Sequence, residues 1–306
     1  MKHEIITIPV SSPFNFHSAL NSHGWVDLAP NIHNSESSSF SRVEETPSSS
    51  VVLLDVSAQG EGERQAINIA VTSPRNLGKS DREYLTAAVS HMLRLDEDFS
   101  EFYALCKARG GVWKTINSGV VHLLRSPSVL EDLGKVICTT NIQWGGTRRM
   151  VKELVDAYGR PFSENPDRKT FPAPSSIAQA SFDEFQQKVR LGYRADYVHR
   201  LARQFAEGSL SPVVFQDKQI PTEEVRKSLL AIKGIGSYAA ASMLMLLGRY
   251  DQIPVDTVFK GFVTRTYFKD RPFNLPEAIA LYEDWGKWKY LAYWFEMVSQ
   301  GHAAEP

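Results

Sequence analysis

Residues 223–259 constrain the fold of this chain more than any other segment, because two helical patterns there are joined by a very short turn with two glycines. Apolar residues recur at helical spacing on both sides of Lys233-Gly234-Ile235-Gly236. We predict that one helix ends near Ile232 and that the next begins at Ser237, whose hydroxyl suits an N-cap. The residues predicted to pack the two helices together are Leu229, Leu230, Ile232, Ile235, Ala239, Ala240, Met243 and Leu244.

The two glycines of this turn also have a chemical consequence. Glycine adopts positive φ angles and lets another backbone or a ligand come close. The amide groups of the turn would then point outward beside the positive N-terminus of the second helix, which suits a phosphate oxygen. Lys233 adds a positive charge at the same place. A plain helix corner without a ligand has the same pattern, so the turn alone leaves both interpretations open.

A single acidic residue, Asp256, follows the second helix, 18 residues beyond Tyr238. It comes directly after Pro254-Val255 and opens another predicted helix. Asp256 is therefore either an ordinary N-cap or a carboxylate that faces a cleft. The other acids of this region are predicted on exposed faces or loops: Glu223, Glu224 and Asp251.

Composition excludes several classes of protein. The net charge is −1, although residues 188–270 carry 13 Lys and Arg against 8 Asp and Glu, so a basic face can form locally. Two cysteines are too few for a disulfide framework or a four-cysteine iron–sulfur cluster, and the histidines show no zinc-ligand spacing. The chain has no signal-peptide core and no apolar run of 18 residues, so we expect a cytoplasmic protein without a membrane segment.

The predicted fold is mainly α with an N-terminal α+β domain, divided near residue 120. In the 1–120 domain, residues 51–56 and 66–72 have strand patterns, and the Ser-rich stretch 34–50 is predicted as a flexible loop or hairpin tip. The 121–306 body is predicted to be helical throughout, with prolines between the helices. Its predicted helices are 127–140, 144–158, 176–179, 181–189, 193–206, 221–231, 237–247, 257–266, 276–283 and 286–298.

The segments LLAIKGIGSYAA and IPVDTVF resemble the helix-hairpin-helix, Gly/Pro-rich, Asp-containing (HhH-GPD) superfamily of DNA glycosylases. CTTNIQWGGTRRMVKELVDAYG, FPAPSSIAQA and LGYRADYVHRLAR are similar to other family segments in the same order, the latter two especially to 8-oxoguanine glycosylases. SALNSHGWVDLAPN and the β-rich N-terminal third resemble the TBP-like extra domain of bacterial 3-methyladenine DNA glycosylase II and of 8-oxoguanine glycosylases. The resemblance covers nearly the whole chain and is strongest from about 120 to 298.

This resemblance implies an enzyme that flips a damaged base out of the duplex and cuts its bond to the sugar. Asp256 would be the essential carboxylate, stabilising the cationic sugar and aiding the attacking water. Asn141 would fill the space left by the flipped base, with Tyr193 and Arg194 near the partner base. The hairpin residues that would bind DNA are Lys233, Gly234, Ile235, Gly236 and Ser237.

Bifunctional members of the family carry a lysine two residues beyond the second glycine, and its amine forms a Schiff base with the sugar. Tyr238 occupies that position here, so the resemblance implies a monofunctional enzyme that uses water. Trp144 and Tyr238 are candidates for the base pocket, because electron-rich rings stack on electron-poor alkylated bases. The resemblance implies no cofactor except a monovalent or divalent cation at the backbone carbonyls of Ile232 and Ile235.

Three functions stay open at this point. The first is a monofunctional glycosylase for alkylated purines, a monomer acting on double-stranded DNA in the nucleoid or nucleus. The second is an oxidised-purine glycosylase of the 8-oxoguanine type, which LGYRADYVHRLAR favours and Tyr238 disfavours. The third is a non-catalytic DNA-binding protein on the same fold, against which Asp256 argues.

Overall fold

A computed structural model describes residues 1–10, 13–60, 65–116, 119–269 and 271–301. Helices predominate, and the N-terminal third contains a five-stranded antiparallel sheet, so the predicted fold class is confirmed. The strands lie in the order β1-β5-β4-β3-β2. Their bounds are β1 (Lys2–Pro9), β2 (Ile32–Asn34), β3 (Ser39–Glu45), β4 (Val51–Gln59) and β5 (Ala66–Ser73).

The sheet forms because its central strands alternate between buried apolar residues and more exposed ones. On β4, Val52, Leu54 and Val56 are buried, and Val56 lies opposite the buried Ile69 of β5. The strands predicted at 51–56 and 66–72 are confirmed. Of the two predictions for the Ser-rich stretch, the hairpin is observed, since β2 and β3 pair across a turn at residues 35–38.

Fourteen α-helices lie in the described part of the chain, and the predicted ones begin and end within three residues of the observed ones. The 257–266 helix continues past α12 as a π-helical turn, Thr264–Phe268. The helices are α1 (Phe16–Leu20), α2 (Lys79–Met92), α3 (Ser100–Arg109), α4 (Val129–Thr139), α5 (Trp144–Tyr158), α6 (Pro174–Ala178), α7 (Phe182–Lys188), α8 (Arg194–Ala206), α9 (Val213–Gln216), α10 (Thr222–Leu230), α11 (Ser237–Leu246), α12 (Thr257–Val263), α13 (Leu275–Ala280) and α14 (Lys289–Ser299).

The predicted body 121–306 is not helical throughout. Strands β6 (Pro161–Phe162) and β7 (Asn165–Lys169) form a small antiparallel hairpin after α5. Only Phe162 of β6 is buried, so the segment lacks the alternating apolar pattern that predicts a strand. Residues 302–306 of the predicted body lie outside the described residues.

Packing divides the chain into two compact units, and each is built from two separate stretches. The first unit contains Met1–Asp96 and His122–Ser211, so the N-terminal sheet shares it with α4, α5 and α8. The second unit contains Glu97–Val121 and Pro212–Glu305, and therefore both the glycine turn and Asp256. This division differs from the boundary predicted near residue 120. None of the helices in the described ranges combines the length and apolar composition that crossing a bilayer requires.

A buried ionic network joins the sheet to α4 within the first unit. Arg42 on β3 lies 3.0 Å, Nη2 to Oε2, from Glu131 on α4, and Lys135 Nζ lies 2.7 Å from the other carboxylate oxygen. Asp132 accepts a hydrogen bond of 2.8 Å from the indole N–H of Trp25. All of these side chains are buried, so every buried charge in the network needs its partners. The helix held by this network, α4, leads into residues 140–143, which we call the Asn141 loop.

Candidate nucleic-acid interface and active site

The glycine turn lies between α10 and α11, as predicted. The N–H of Ile235 donates to the carbonyl of Ile232 at 3.1 Å and closes the turn. Gly234 has a φ of 95°, a value that favours glycine. Gly236 is extended, with φ −89° and ψ −175°, and a Cβ built there would meet no heavy atom within 4 Å. Only the first glycine is therefore required by backbone conformation, whereas the second borders open space.

Two details of the predicted turn are wrong. Gly236 is the N-cap of α11, and Ser237 is an exposed first helical residue, so no side chain caps this helix. Leu230 is 38% exposed, whereas the other seven residues predicted to pack α10 against α11 are buried. The first turn of α11 contains no acidic residue, and Lys233 is exposed just before it. The uncapped amides and the helix dipole make this N-terminus favourable for an anion.

The backbone cation predicted at Ile232 and Ile235 remains a prediction. The Ile232 carbonyl accepts one hydrogen bond inside the turn, and a carbonyl oxygen has two lone pairs, so one acceptor direction is left for a cation. Side chains offer no alternative among the residues that the structure describes, because no three His, Cys, Asp or Glu residues come together there.

Asp256 caps α12, so the capping interpretation of this residue is correct. Its Oδ1 accepts a hydrogen bond of 2.7 Å from the amide of Phe259. The side chain is half-buried, and burial raises the pKa of Asp256 above its ordinary value, although backbone amides such as that of Phe259 and the positive charge of Lys260 act in the opposite direction. Within the described ranges, no Lys or Arg forms an ion pair with this carboxylate. Capping therefore leaves a carboxylate that is not part of an ion pair at the start of α12.

Two phenols lie near the Asp256 carboxylate. Tyr238, the second residue of α11, is half-buried, and Tyr293 on α14 is buried. Burial raises the pKa of each phenol, and the negative charge of Asp256 raises it further, whereas Ser242 opposes the shift at Tyr238 through a hydrogen bond. The Tyr293 ring packs edge-on against Phe259, with 5.0 Å between ring centroids.

Sequence reasoning missed Tyr293 as a neighbour of Asp256. The residue lies in the run YLAYWF, where aromatic residues follow one another and nothing in their spacing marks one of them. Only the packing of α14 against α12, seen in the Tyr293–Phe259 contact, places this phenol beside the carboxylate. The position of Tyr238 was predicted from its distance to the second glycine.

Asn141, Tyr193 and Arg194 come together in the first unit, and their roles at the opened base pair stay a prediction. Asn141 lies between α4 and α5 with a φ of 48°, a left-handed conformation that Asn tolerates better than most residues. Its Nδ2 lies 3.5 Å from the hydroxyl of Tyr193. Arg194 donates to the carbonyls of Thr140 and Asn141, the latter at 3.3 Å, and its guanidinium stacks on the Tyr193 ring at 4.4 Å.

These three residues differ in what they can offer to a ligand. Asn141 is exposed and Tyr193 is 53% exposed, whereas Arg194 is only 5% exposed. Arg194 therefore holds the 140–141 backbone in place. Ile142, which sequence reasoning missed, is 38% exposed beside Asn141. Gly146 makes room for it, because a Cβ there would lie 2.5 Å from Ile142 Cγ1.

Trp144, the other predicted pocket residue, begins α5 in the first unit. Its ring stacks on Trp25 at a centroid distance of 6.5 Å and an interplanar angle of 27°. The structure thus gives Trp144 a packing contact within its own unit. Its contact with a flipped base stays a prediction.

Comparison with known proteins supports a family assignment. The model of the HhH-GPD superfamily base excision DNA repair proteins matches residues 135–281, a range that includes Asn141, the glycine turn and Asp256. YfjP of Bacillus subtilis (strain 168), named as a DNA-3-methyladenine glycosylase, is 26% identical over 144 residues. That match covers 46% of this chain and 48% of YfjP, so it spans about half the length of the curated relative.

Solved structures share the fold over almost the whole chain. The 3-methyladenine DNA-glycosylase from Archaeoglobus fulgidus matches with a TM-score of 0.72 and 17% identity, over 96% of this chain and 98% of that one. The Clostridium acetobutylicum 8-oxoguanine glycosylase/lyase, bound to double-stranded DNA with cytosine opposite 8-oxoguanine, matches with a TM-score of 0.63 and 15% identity, over 90% and 99%. Identities this low show the fold alone. Residues 135–281 therefore match the HhH-GPD superfamily of base excision DNA repair proteins, and the fold shared with these solved structures extends over almost the whole chain.

Proposed function

We propose that this protein is a monofunctional DNA N-glycosylase of base excision repair that hydrolyses damaged, chiefly alkylated, purine bases. The observation that carries the proposal is Asp256, a half-buried carboxylate with a raised pKa and, in the described part of the chain, no ion-pair partner. A buried charge without a partner is costly for stability, which makes a functional role the better explanation of this residue.

The chemistry that this carboxylate can perform follows from its charge. When the bond between C1′ and the base nitrogen breaks, both electrons leave with the base and the sugar becomes cationic. An ionised Asp256 stabilises that cation, and it can take a proton from the water whose oxygen bonds to C1′. The amide of Phe259, which donates to Oδ1, orients the carboxylate at the start of α12.

Two other sites would present the DNA to Asp256. The uncapped N-terminus of α11, with Gly236 open to solvent, suits a backbone phosphate. Asn141, exposed on its loop with Tyr193 beside it, suits the space that a flipped base leaves in the stack. These contacts position the duplex without reading its sequence.

Tyr238 supports both the water mechanism and the choice of substrate. A phenol cannot form the imine that a lysine forms with the sugar, so the carbon–oxygen bond of the DNA backbone should stay intact after base release. The ring is half-buried close to Asp256 and is electron-rich. Such a ring attracts a base that carries the positive charge of alkylation more strongly than it attracts a neutral base.

A panel of lesion duplexes tests the proposal. The protein is incubated with duplexes that contain 3-methyladenine, hypoxanthine or 8-oxoguanine, and abasic sites are then cleaved with alkali. We expect strand cleavage only after the alkali step, with 3-methyladenine released faster than 8-oxoguanine. Preferred release of 8-oxoguanine would indicate the oxidised-purine alternative, and release of no base would indicate a non-catalytic DNA-binding protein. A covalent complex trapped by borohydride would contradict the water mechanism.

A further inference from the structure

A cationic groove lies on the first unit, away from the residues used above. The cavity has a volume of about 450 Å³ and lies between α5, the segment 29–32 and strand β7. Five cationic side chains line it: Arg148, Arg149, Lys152, Arg168 and Lys169. We call this cavity the α5 groove.

The cations of the α5 groove fall into two classes. Lys152 pairs with Asp156, Lys169 donates to the carbonyl of the same residue, and Arg168 donates to the hydroxyl of Ser41 at 3.0 Å. These three side chains are held in place by the protein. Arg148 and Arg149 are exposed, and the described residues offer neither of them an ion-pair or hydrogen-bond partner. The groove therefore combines a preformed positive wall with two guanidinium groups that are available to a ligand.

The acidic residues of the groove do not cancel this charge. Asp156 is occupied by Lys152, with 2.5 Å between Nζ and Oδ2, and Asp27 lies 3.7 Å from the ring of His33. Asp167, the third acidic residue that lines the groove, is exposed. Asp55, outside the lining, also acts on Arg168, so five cations against four carboxylates leave a surplus of one positive charge. The two guanidinium groups without a partner can bind phosphate oxygens in a bidentate manner.

The position of the groove along α5 indicates the occupant. Arg149 lies five residues after Trp144, which is about 8 Å along the helix axis. Backbone phosphates of a duplex that contacts the start of α5 would therefore come within reach of Arg148 and Arg149. The Asn141 loop immediately precedes that start.

We propose that the α5 groove binds backbone phosphates of the same duplex into which the Asn141 loop inserts. This inference rests on the DNA binding of the proposed function but not on base release. Arg148 and Arg149 would contact two neighbouring phosphates, while Lys152, Arg168 and Lys169 maintain the positive potential around them. The site would anchor the duplex through the first unit, independently of the phosphate site at α11.

The test measures affinity for an undamaged duplex as a function of salt concentration. The double variant Arg148→Ala, Arg149→Ala removes two phosphate contacts, so the slope of log K against log salt should become shallower by about 1.8, and the affinity near 0.1 M salt should fall by about tenfold. The matched control is Lys2→Ala, Lys79→Ala, which removes two exposed charges of the same unit outside the groove and should leave the slope unchanged. Arg148→Lys, Arg149→Lys should restore most of the slope, because it restores the charges.

An unchanged slope in the groove variant overturns the proposal. Equal losses in the groove and control variants also overturn it, because they would reflect overall charge. Circular dichroism spectra and thermal midpoints of all variants show whether the fold is intact. The glycosylase proposal fails separately, in the base-release assay, and such a failure would leave these binding measurements interpretable.

Discussion

Glu131 in the first unit and Asp256 in the second are both carboxylates withdrawn from water, but their surroundings are opposite. Glu131 is buried between Arg42 and Lys135, and although burial raises its pKa, these two charges outweigh that effect and the net pKa is lowered. Asp256 accepts hydrogen bonds from backbone amides only, and burial leaves its pKa raised.

The difference teaches how to separate a structural acid from a functional one. A buried acid with two cationic partners has all its charge neutralised inside the fold, so its removal should cost stability. An acid held by a helix N-terminus without a cation keeps an unneutralised charge, so its removal should cost activity. The following predictions test this separation in order of expected effect.

The largest effect is expected from Asp256→Asn. Asn caps helices about as well as Asp, so the hydrogen bond to the Phe259 amide can persist while the negative charge is lost. Single-turnover base release should fall by about 10²–10⁴-fold, the usual range for the loss of transition-state charge stabilisation or of a general base. DNA binding, measured by fluorescence anisotropy, should change little.

Stability measurements on the same residue sharpen this prediction. The raised pKa of Asp256 means that ionisation is less favourable in the folded state than in the unfolded state, so Asp256→Asn should not lower the free energy of unfolding near pH 7. Asp256→Ala also removes the cap and should cost about 0.5–2 kcal/mol. Loss of folding in both variants would show that Asp256 is chiefly structural.

Glu131→Gln should have the opposite profile. It leaves Arg42 and Lys135 buried near each other with one negative partner removed, and the free energy of unfolding should fall by about 3–5 kcal/mol in urea denaturation. The control is Glu4→Gln, which breaks the partly exposed pair with Arg82 and should cost less than about 1 kcal/mol. If Glu131→Gln lowers the free energy of unfolding no more than Glu4→Gln does, the distinction between Glu131 as a structural acid and Asp256 as a functional one fails.

These two acids also show what the sequence could and could not reveal. Asp256 could be singled out because its pattern is local: it opens a helix after the glycine turn, and the resemblance to the HhH-GPD superfamily then implied its role. Glu131 was not, because its partner Arg42 lies 89 residues earlier on another element, and only the folded chain brings them together. A network of buried charges has no periodicity that a sequence pattern can detect.

In the fold, too, elements with a local sequence pattern were predicted and those without one were missed. The α5 helix was predicted with its observed bounds because its apolar residues recur at helical spacing. The β6–β7 hairpin was missed because Pro161 and Pro166 indicate breaks and its residues are mostly polar. Ser237 was assigned as a cap from its residue type, yet the chain turns one residue earlier, at Gly236. Element types were thus predictable from local patterns, and the exact caps depended on the backbone path.

Effects of intermediate size are expected from alanine substitutions of the two glycines of the turn, one of which should change stability and the other DNA affinity. Gly234→Ala places a side chain at a φ of 95° and should lower the free energy of unfolding by about 1–2 kcal/mol. The backbone at Gly236 is extended, and the methyl group added by Gly236→Ala would meet no heavy atom within 4 Å. The free energy of unfolding should therefore be retained, while affinity for duplexes of any sequence falls. Thermal denaturation and anisotropy measurements on both variants check this, and a sequence-dependent loss in Gly236→Ala would contradict phosphate binding.

The smallest expected effect is a difference between the pH at which base release is lost and the lower pH at which the protein unfolds. As the pH falls, Asp256 takes up a proton at a higher pH than an ordinary aspartate, so base release should be lost early. Glu131 has a lowered pKa, so its contribution to stability is present above its unfolded-state pKa and is lost only as the pH falls through the lower folded-state value. Single-turnover rates and near-ultraviolet circular dichroism, followed from pH 7 downward, should therefore show an interval in which the protein is folded but inactive. If the two curves coincide, loss of activity reflects unfolding, and the distinction between the neutralised acid and the unneutralised one does not hold.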